Sequence, residues 1–315
     1  MLPCRRGFEM RVLLAGATGA IGRPLIRGLK QSGHTVFCLV RSAESARIIA
    51  ELGAEALIGD ALDAASVRAA IAHVRPDAVI NELTSLPRHY SPQEMKAAAE
   101  RDSRVRREGN VNLLAGIRES VVRRYVLQAS GFWYGPGPDL ADESSPLAVD
   151  ASPGVAASAR TYVELESTAF QASGTACVAM RYGFFYGPGT WYTSGGDMGD
   201  QVRRQQVPII GAGQGVSSFV HIDDAASATV AALKCAPGAY NTVDDDPSQQ
   251  SVWLPAFARA CRAQEPLQIT EQEALATSGA DSVYYATRLR GASNMKARNE
   301  LNFRPRPLEW LEKGH

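Results

Sequence analysis

Past a polar N-terminal stretch, a short apolar run from Val12 to Ala15 meets glycines three apart, Gly16, Gly19 and Gly22. A second apolar stretch, Ile21 to Leu29, begins at once. Four apolar residues closed by glycine read as a buried strand, and the longer stretch after them as a helix packed on it. The alternation continues. Thr35 to Val40, Ala56 to Ile58, Ala78 to Asn81 and Arg124 to Gln128 read as strands. Between them, Ala43 to Leu52, Ala64 to His73 and Pro92 to Glu119 read as helices, the second with Asp63 placed to cap it. Strand and helix in strict turn predict a parallel sheet covered by helices on both faces.

A Gly/Pro/Asp/Ser-rich loop, 135–153, is followed by a helix from Ala156 to Ala172 and a strand from Ala176 to Arg181. The pattern then changes. Glycines, prolines and aromatics cluster from Gly183 to Gly215, around one helix near Asp197 to Gln205. Ser217 to Ile222 reads as a strand, Asp223-Asp224 as the cap of an alanine-rich helix to Lys234, and Tyr240 to Val243 as one more strand. The expected fold class is α/β, a Rossmann-type doubly wound parallel sheet with a smaller, mostly helical substrate-binding lobe. Residues 10–183 form the core, strands near 217–222 and 240–243 rejoin it, and 184–216 with 244–315 make the lobe.

The glycine segment carries the first chemistry. Gly16 permits a tight turn, Gly19 lets a pyrophosphate approach the backbone, and Gly22 lets helix and strand pack closely. The amides of Thr18, Gly19, Ala20 and Ile21, at the positive end of the helix, then face the phosphates. After the second strand stands Arg41-Ser42, where an NAD-selecting site places a carboxylate for the ribose 2′-hydroxyl. A guanidinium fork and a hydroxyl suit a 2′-phosphate instead, so NADP(H) is favoured over NAD(H). Asp60 and Ala61, after the third strand, are placed for the adenine edge, and Asp60 is equally placed to close a turn.

Composition narrows the partners. Thirty-three basic residues balance thirty-three acidic ones, which asks for neither nucleic acid nor an anionic membrane. No apolar run approaches the roughly eighteen residues of a membrane-spanning helix, and Met1 to Glu9 lacks the apolar centre of a signal peptide. The five cysteines, Cys4, Cys38, Cys177, Cys235 and Cys261, are scattered, and a reducing, cytoplasmic setting is the expectation. The partner expected is a small-molecule substrate.

Taken together, these residues resemble the extended and atypical short-chain dehydrogenase/reductases, in particular the NAD-dependent epimerase/dehydratase family. The resemblance runs from Val12 to about Pro305. It rests on Gly16-Ala-Thr-Gly-Ala-Ile-Gly22, Gly59-Asp60, Arg107-Glu-Gly-Asn-Val-Asn-Leu-Leu114 and Ser130 with Trp133-Tyr-Gly-Pro136. Further on it includes Arg181-Tyr-Gly-Phe-Phe-Tyr-Gly-Pro-Gly189, Phe219-Val-His-Ile-Asp-Asp224, Tyr240-Asn241 and a terminal helix, Ser293 to Leu301. It implies dinucleotide contacts from Leu83, Thr84 and Tyr182. It also implies homodimer pairing through the 92–119 and 156–172 helices.

The family's chemistry uses a Ser or Thr on the substrate oxygen, a Tyr that moves a proton, and a Lys four residues later. That spacing puts Tyr and Lys on one helix face. Ser130 fills the first role. Aligning Glu166 with the family's downstream Glu puts Ser158 in the Tyr slot and Tyr162 in the Lys slot, and none of the five lysines follows a Tyr by four. The candidate catalytic set is therefore Ser130, Tyr162 and Ser158, with Tyr162 as acid in a relay. Trp133, Tyr134, Phe184, Phe185, Tyr186 and Trp191, with Tyr192, are the candidate substrate pocket. This aromatic set suits a planar or apolar substrate at least as well as a sugar nucleotide. Arg181, Arg288 and Arg290 are the cations available to a diphosphate.

The function expected is an NAD(P)-dependent oxidoreductase or epimerase/dehydratase-like enzyme acting on a carbonyl or hydroxyl of a small molecule. Two alternatives stay open: a non-catalytic dinucleotide-binding regulator, like the NmrA-like branch, and a non-redox isomerase or lyase that keeps the cofactor as a fixed part. No metal is expected. Asp244-Asp245-Asp246 reads as a solvated turn. His221 reads as a residue shaping the lobe, and Glu82 as a salt-bridged or solvent-facing carboxylate that would become a general base only if desolvated.

Overall fold

The computed structural model describes residues 9–311. Cys4 and nearly all of the Met1–Glu9 stretch lie outside them. The first half contains β1 (Arg11–Ala15), α1 (Gly22–Gln31), β2 (Thr35–Val40), α2 (Ala43–Glu51), β3 (Glu55–Ile58), α3 (Ala64–Val74), β4 (Ala78–Asn81), α4 (Pro92–Arg118) and β5 (Arg124–Ser130). Next come α5 (Pro153–Phe170), β6 (Ala176–Tyr182), β7 (Phe184–Tyr186), α6 (Asp197–Arg203), β8 (Ile209–Ile210), β9 (Val216–Ser217), β10 (Phe219–His221), α7 (Ile222–Ala231) and β11 (Gly238–Thr242). The chain closes with β12 (Ser248–Gln249), α8 (Gln250–Ala260), β13 (Gln268–Ile269), α9 (Glu271–Ser278), α10 (Ala280–Thr287) and α11 (Met295–Glu300).

Seven strands form one parallel sheet in the order β11-β6-β5-β4-β1-β2-β3. The strands after β1 are added first on one side of it (β2, β3) and then on the other (β4, β5, β6), so the topological switch point lies between β1 and β4, where a crevice opens at their carboxyl ends. The central strands are buried on both faces and read as continuous apolar runs, while the edge strand β3 is not. On one face Leu25, Ile26 and Leu29 of α1 pack with Ala225 and Ala228 of α7 against Leu14, Ile80 and Met180. On the other, Val67 and Ile71 of α3, Leu113 and Ile117 of α4 and Leu165 of α5 cover Leu13, Val79 and Leu127. Local chemistry fixes the helix starts: the Ser42, Asp63 and Ser91 side chains accept amide hydrogen bonds at the N-caps of α2, α3 and α4.

Two expected boundaries move. The 217–222 segment does not rejoin the main sheet: β10 pairs in parallel with β7 in a separate two-stranded ribbon, while only β11 returns to the large sheet beside β6. The 293–303 segment, expected in the lobe, packs on the core, with Ala297, Leu301 and Phe303 joining the α1/α7 layer and Glu300 accepting from the Tyr240 hydroxyl at 2.6 Å. The lobe is centred instead on Tyr192, Phe219, Trp253, Phe257 and Trp310, a nest of edge-to-face aromatic pairs. Among the described residues, no helix is long and apolar enough to cross a membrane.

Candidate active site

The loop between β1 and α1 has the form a diphosphate requires. Gly16 takes φ +89°, and a Cβ there would lie 2.2 Å from the Glu82 carbonyl oxygen, so the turn closes directly on the end of β4. A Cβ on Gly22 would lie 2.1 Å from the Ala17 carbonyl oxygen, so strand and helix touch there. Gly19 differs: a Cβ there would meet only the Gly16 carbonyl oxygen, at 3.3 Å. Thr18, Gly19 and Ala20 are exposed, and the Thr18, Ala20 and Ile21 amides have no partner among the described residues. No acid stands in the first turn of α1. Free amides, a helix dipole and a bare approach make a fitting seat for a pyrophosphate.

The residues expected at the adenosine end differ in how open they are. Arg41 is exposed directly after β2, without a hydrogen-bonding partner among the described residues. The Ser42 hydroxyl accepts from the Ser45 amide at 3.1 Å and caps α2, so its first task is local. Asp60 accepts from the Leu62 amide at 2.9 Å with one oxygen, as a turn residue. The Ala61 carbonyl accepts from Asn112 at 2.9 Å, and Leu83 and Thr84 lie half-buried beyond β4.

Across the switch point, β5 and α5 bring Ser130, Trp133 and Tyr162 to one region. Ser130 is buried at the end of β5, its nearest partner the Phe132 amide at 3.5 Å. The Trp133 and Tyr162 rings lie 5.5 Å apart, Phe132 stacks on Phe184 at 4.1 Å, and the Trp133 indole donates to the Tyr285 hydroxyl at 2.8 Å. Among the described residues Tyr162 finds no hydrogen-bond partner for its hydroxyl, and its ring lies 5.2 Å from the Arg106 guanidinium. Burial pushes its phenol up to about 12, against the opposing pull of Arg106, so at neutral pH Tyr162 is a proton donor. Ser158 is half-buried, and no hydrogen bond links Ser130, Ser158 and Tyr162 as a relay would need.

Arg106, Asp102, Phe132 and Tyr285 belong to this region and were missed in the sequence. The Arg106 guanidinium is buried, donating to Asp102 at 2.7 Å and to Gln128 at 3.2 Å, while Asp102 also accepts from the Ser85 amide. With Asn81, Leu83, Gln128 and Leu165, Arg106 lines a narrow cleft. An Arg and an Asp four apart on a helix read as an exposed pair; only the packing of α4 on α5 and β5 turns them inward.

Several pocket and site expectations need correction. Tyr134 is fully buried, bonded to Asn241 and accepting from Arg181 at 2.9 Å. Arg181 is fully engaged by the Glu166 carboxylate, at 2.6 and 2.7 Å, so neither reaches a ligand. Arg290 is likewise engaged, by the Asp139 carbonyl. Tyr186 is buried against His221 and Trp310, its hydroxyl donating to the Pro307 carbonyl at 3.2 Å. Phe185 packs on Tyr182 on the α1/α7 side of the sheet, away from Tyr162. Strand alternation places Phe185 opposite Phe184 and Tyr186 along β7, since neighbouring residues point to opposite faces. Trp191 lies in the lobe against Tyr90. His221, rather than Asp223 or Asp224, caps α7, accepting from the Asp223 amide at 3.2 Å; burial and Arg306 hold its pKa below the usual value. Asp244 is buried, not solvated, and accepts from the Phe219 and Asp246 amides.

Glu82 is the largest departure. Its carboxyl group is buried between β4, β6 and α7, with Oε1 bonded to the Tyr182 hydroxyl at 2.9 Å and Oε2 without a partner. Burial pushes its pKa up to about 8, opposed by the Tyr182 hydrogen bond and by Arg106.

The model of the NAD dependent epimerase/dehydratase family matches residues 12–242. The chain belongs to that family. The 3-diazoavenalumate denitrifying reductase of a Streptomyces species is 38% identical over 310 residues, covering 96% of this chain and 98% of that protein. Among solved structures, the UDP-glucose 4-epimerase of Thermus thermophilus in complex with NAD superposes with a TM-score of 0.72 at 25% identity, over 96% of both chains. A dTDP-glucose 4,6-dehydratase from Streptomyces venezuelae with NAD superposes at 0.73 and 18% identity, over 95% of this chain and 93% of that one, and shows the shared fold. The chain is thus an NAD(P)-dependent enzyme of this family, and its open glycine loop fits that cofactor class.

Proposed function

We propose that this enzyme is an NADP(H)-dependent reductase that delivers hydride to a small, planar, electron-poor substrate, with an arenediazonium carboxylate as the first class to test. The single observation carrying this reading is the filling of the family's Tyr and Lys slots by Ser158 and Tyr162, in a chain similar along its whole length to a denitrifying reductase. Carbonyl reduction needs a proton at the new alkoxide, which a buried phenol without a neighbouring lysine supplies poorly. Reductive loss of dinitrogen does not. The substrate's C–N bond breaks with its electron pair leaving on N2, hydride forms the C–H bond, and the cofactor is oxidised.

The dinucleotide supplies the hydride; the chain's own residues bind, orient and exclude water. Thr18, Gly19, Ala20 and Ile21 hold the diphosphate, and Arg41 with Ser42 takes the 2′-phosphate. Ser130 and Tyr162 position the substrate beside the Trp133, Phe132 and Phe184 rings. Arg106, paired with Asp102 on α4, orders the wall beside the Tyr162 ring rather than replacing the lysine's free charge. The test is anaerobic turnover of an arenediazonium carboxylate with NADPH carrying deuterium at C4. One N2 per NADPH, with deuterium on the carbon that lost nitrogen, is the expected result. NADPH oxidation without N2, or no turnover above boiled enzyme, overturns the reading.

A homodimer through α4 and α5 accompanies it. Val111 on α4 and Val163 on α5 are 54% and 45% exposed, apolar positions on the helices assigned to that interface. Val111→Asp with Val163→Asp is expected to halve the mass measured by sedimentation, and an unchanged mass removes the dimer.

A further inference from the structure

The large aromatic residues divide by exposure. Tyr134, Tyr186, Phe219 and Tyr240 are fully enclosed. Phe132, Trp133, Phe184 and Tyr285 are only half-buried, although they pack on one another. Phe132 stacks on Phe184 at 4.1 Å and meets Trp133 edge-on at 4.7 Å, and the Phe184 and Tyr285 rings lie 6.1 Å apart. Four rings in mutual contact that keep part of their surface open form a wall that a flat ring can cover.

Tyr285 adds one polar group to that wall. Its hydroxyl oxygen accepts from the Trp133 indole at 2.8 Å, and its own proton finds no acceptor among the described residues. Phenols ordinarily ionise at about pH 10, and burial raises Tyr285 further, so the proton is present at neutral pH. The helix that carries it, α10, is held at two points. At its start the Asp281 carboxylate accepts from the Gly154 and Val155 amides of α5 at 3.0 and 3.4 Å. A Cβ on Gly154 would lie 2.1 Å from Asp281 Oδ2, so the glycine leaves the carboxylate its room. At the second point the indole N–H holds the phenol oxygen, and the phenol O–H must turn away from it. The two buried arginines near the site, Arg106 and Arg181, are already paired with Asp102 and Glu166.

This inference rests on the reductase reading given above. We propose that Tyr285 is a specificity-determining residue, donating its hydroxyl proton to the carboxylate of an aryl acid that lies against Phe132, Trp133 and Phe184. The cationic diazonium end of such a substrate has no use for a donor; the acid end requires one. A phenol on a carboxylate makes a charge-assisted hydrogen bond, short and strong for a neutral donor.

Steady-state reduction of meta-carboxybenzenediazonium and of benzenediazonium compares the acid with its bare ring. The wild type is expected to show a KM for the acid about tenfold or more below that for the bare ring. In Tyr285→Phe the KM for the acid should rise about 10- to 100-fold, with kcat within about threefold and the bare ring unaffected. Equal changes for both substrates mark a merely structural bond to Trp133 and overturn the proposal. So does loss of the preference in Arg288→Ala with none in Tyr285→Phe, which assigns the acid to that exposed cation on the same helix end. Should Tyr285→Phe fail to fold, the wild-type ratio decides, and equal KM values overturn the acid site. Calorimetry with benzoate, the denitrified product, separates the two readings. Benzoate binding that weakens in Tyr285→Phe while neither diazonium is reduced removes the reductase and keeps the acid site. Reduction of both diazonium ions with no preference removes the acid site and keeps the reductase.

Discussion

At the residue scale, the site is defined by which charged and hydroxyl groups remain free. Arg41 has no hydrogen-bonding partner among the described residues, and its fork is of the kind that suits a 2′-phosphate. Arg41→Ala is expected to weaken NADP(H) binding by about 10- to 100-fold, the worth of a charge-assisted pair at roughly 1.5–3 kcal/mol, and to leave NAD(H) binding within about twofold. Equal losses for both cofactors would place Arg41 elsewhere. Tyr162 is free at its hydroxyl but held protonated by burial. In reduction of a diazonium ion, Tyr162→Phe should cost less than about tenfold in kcat. A carbonyl reductase relying on it as acid should lose about 100-fold or more, so steady-state kinetics on both substrate classes separates the two chemistries. Arg181, by contrast, is spent on Glu166, Tyr134 and the Glu143 carbonyl, and its motif position signals structure rather than ligand binding.

At the scale of elements, the β1–α1 turn carries the greatest consequence per residue. Gly16 combines φ +89° with a backbone neighbour where a Cβ would stand. The conformation alone costs a non-glycine residue about 1–2 kcal/mol, and the clash with the Glu82 carbonyl must also be relieved by moving β4. Gly16→Ala should therefore lower the melting temperature and abolish dinucleotide binding, read by calorimetry and thermal unfolding. Retained affinity would show that the turn can widen. This turn was legible in the sequence because the glycine spacing and the adjacent apolar runs state local requirements. The ribbon of β7 and β10 was not, because two three-residue strands find each other across the intervening residues 187–218. The same holds for the closing helix α11, whose packing on β11 is a long-range contact.

At the scale of the whole molecule, burial sets the charge states. Glu82 and Asp244 are both enclosed, and burial pushes each carboxyl up to about 8. A carboxyl raised above its unfolded value contributes most below that unfolded value, and its contribution is lost as pH rises through the folded pKa. These two groups therefore lower stability progressively from about pH 4 to about pH 8. Glu82→Gln, neutral at every pH, should match the wild type near pH 5 and exceed it near pH 8.5, by on the order of a few kcal/mol, in denaturant unfolding of the free enzyme. A constant difference across that range would contradict the buried, ionisable carboxyl.

The amino-acid sequence by itself determined the alternation of strand and helix, the dinucleotide turn, the cap Asp63, and the loss of the Tyr-Lys pair. Each is a matter of neighbouring residues, whose propensities and spacings act locally. Tertiary structure alone decided that Tyr134 and Tyr186 are core residues and that Arg106 turns inward beneath Tyr162. It also decided that Glu82, read as solvated or paired, is enclosed with one oxygen left over. Those outcomes depend on which distant surfaces meet, because burial and desolvation belong to the packed molecule and not to any segment of the chain.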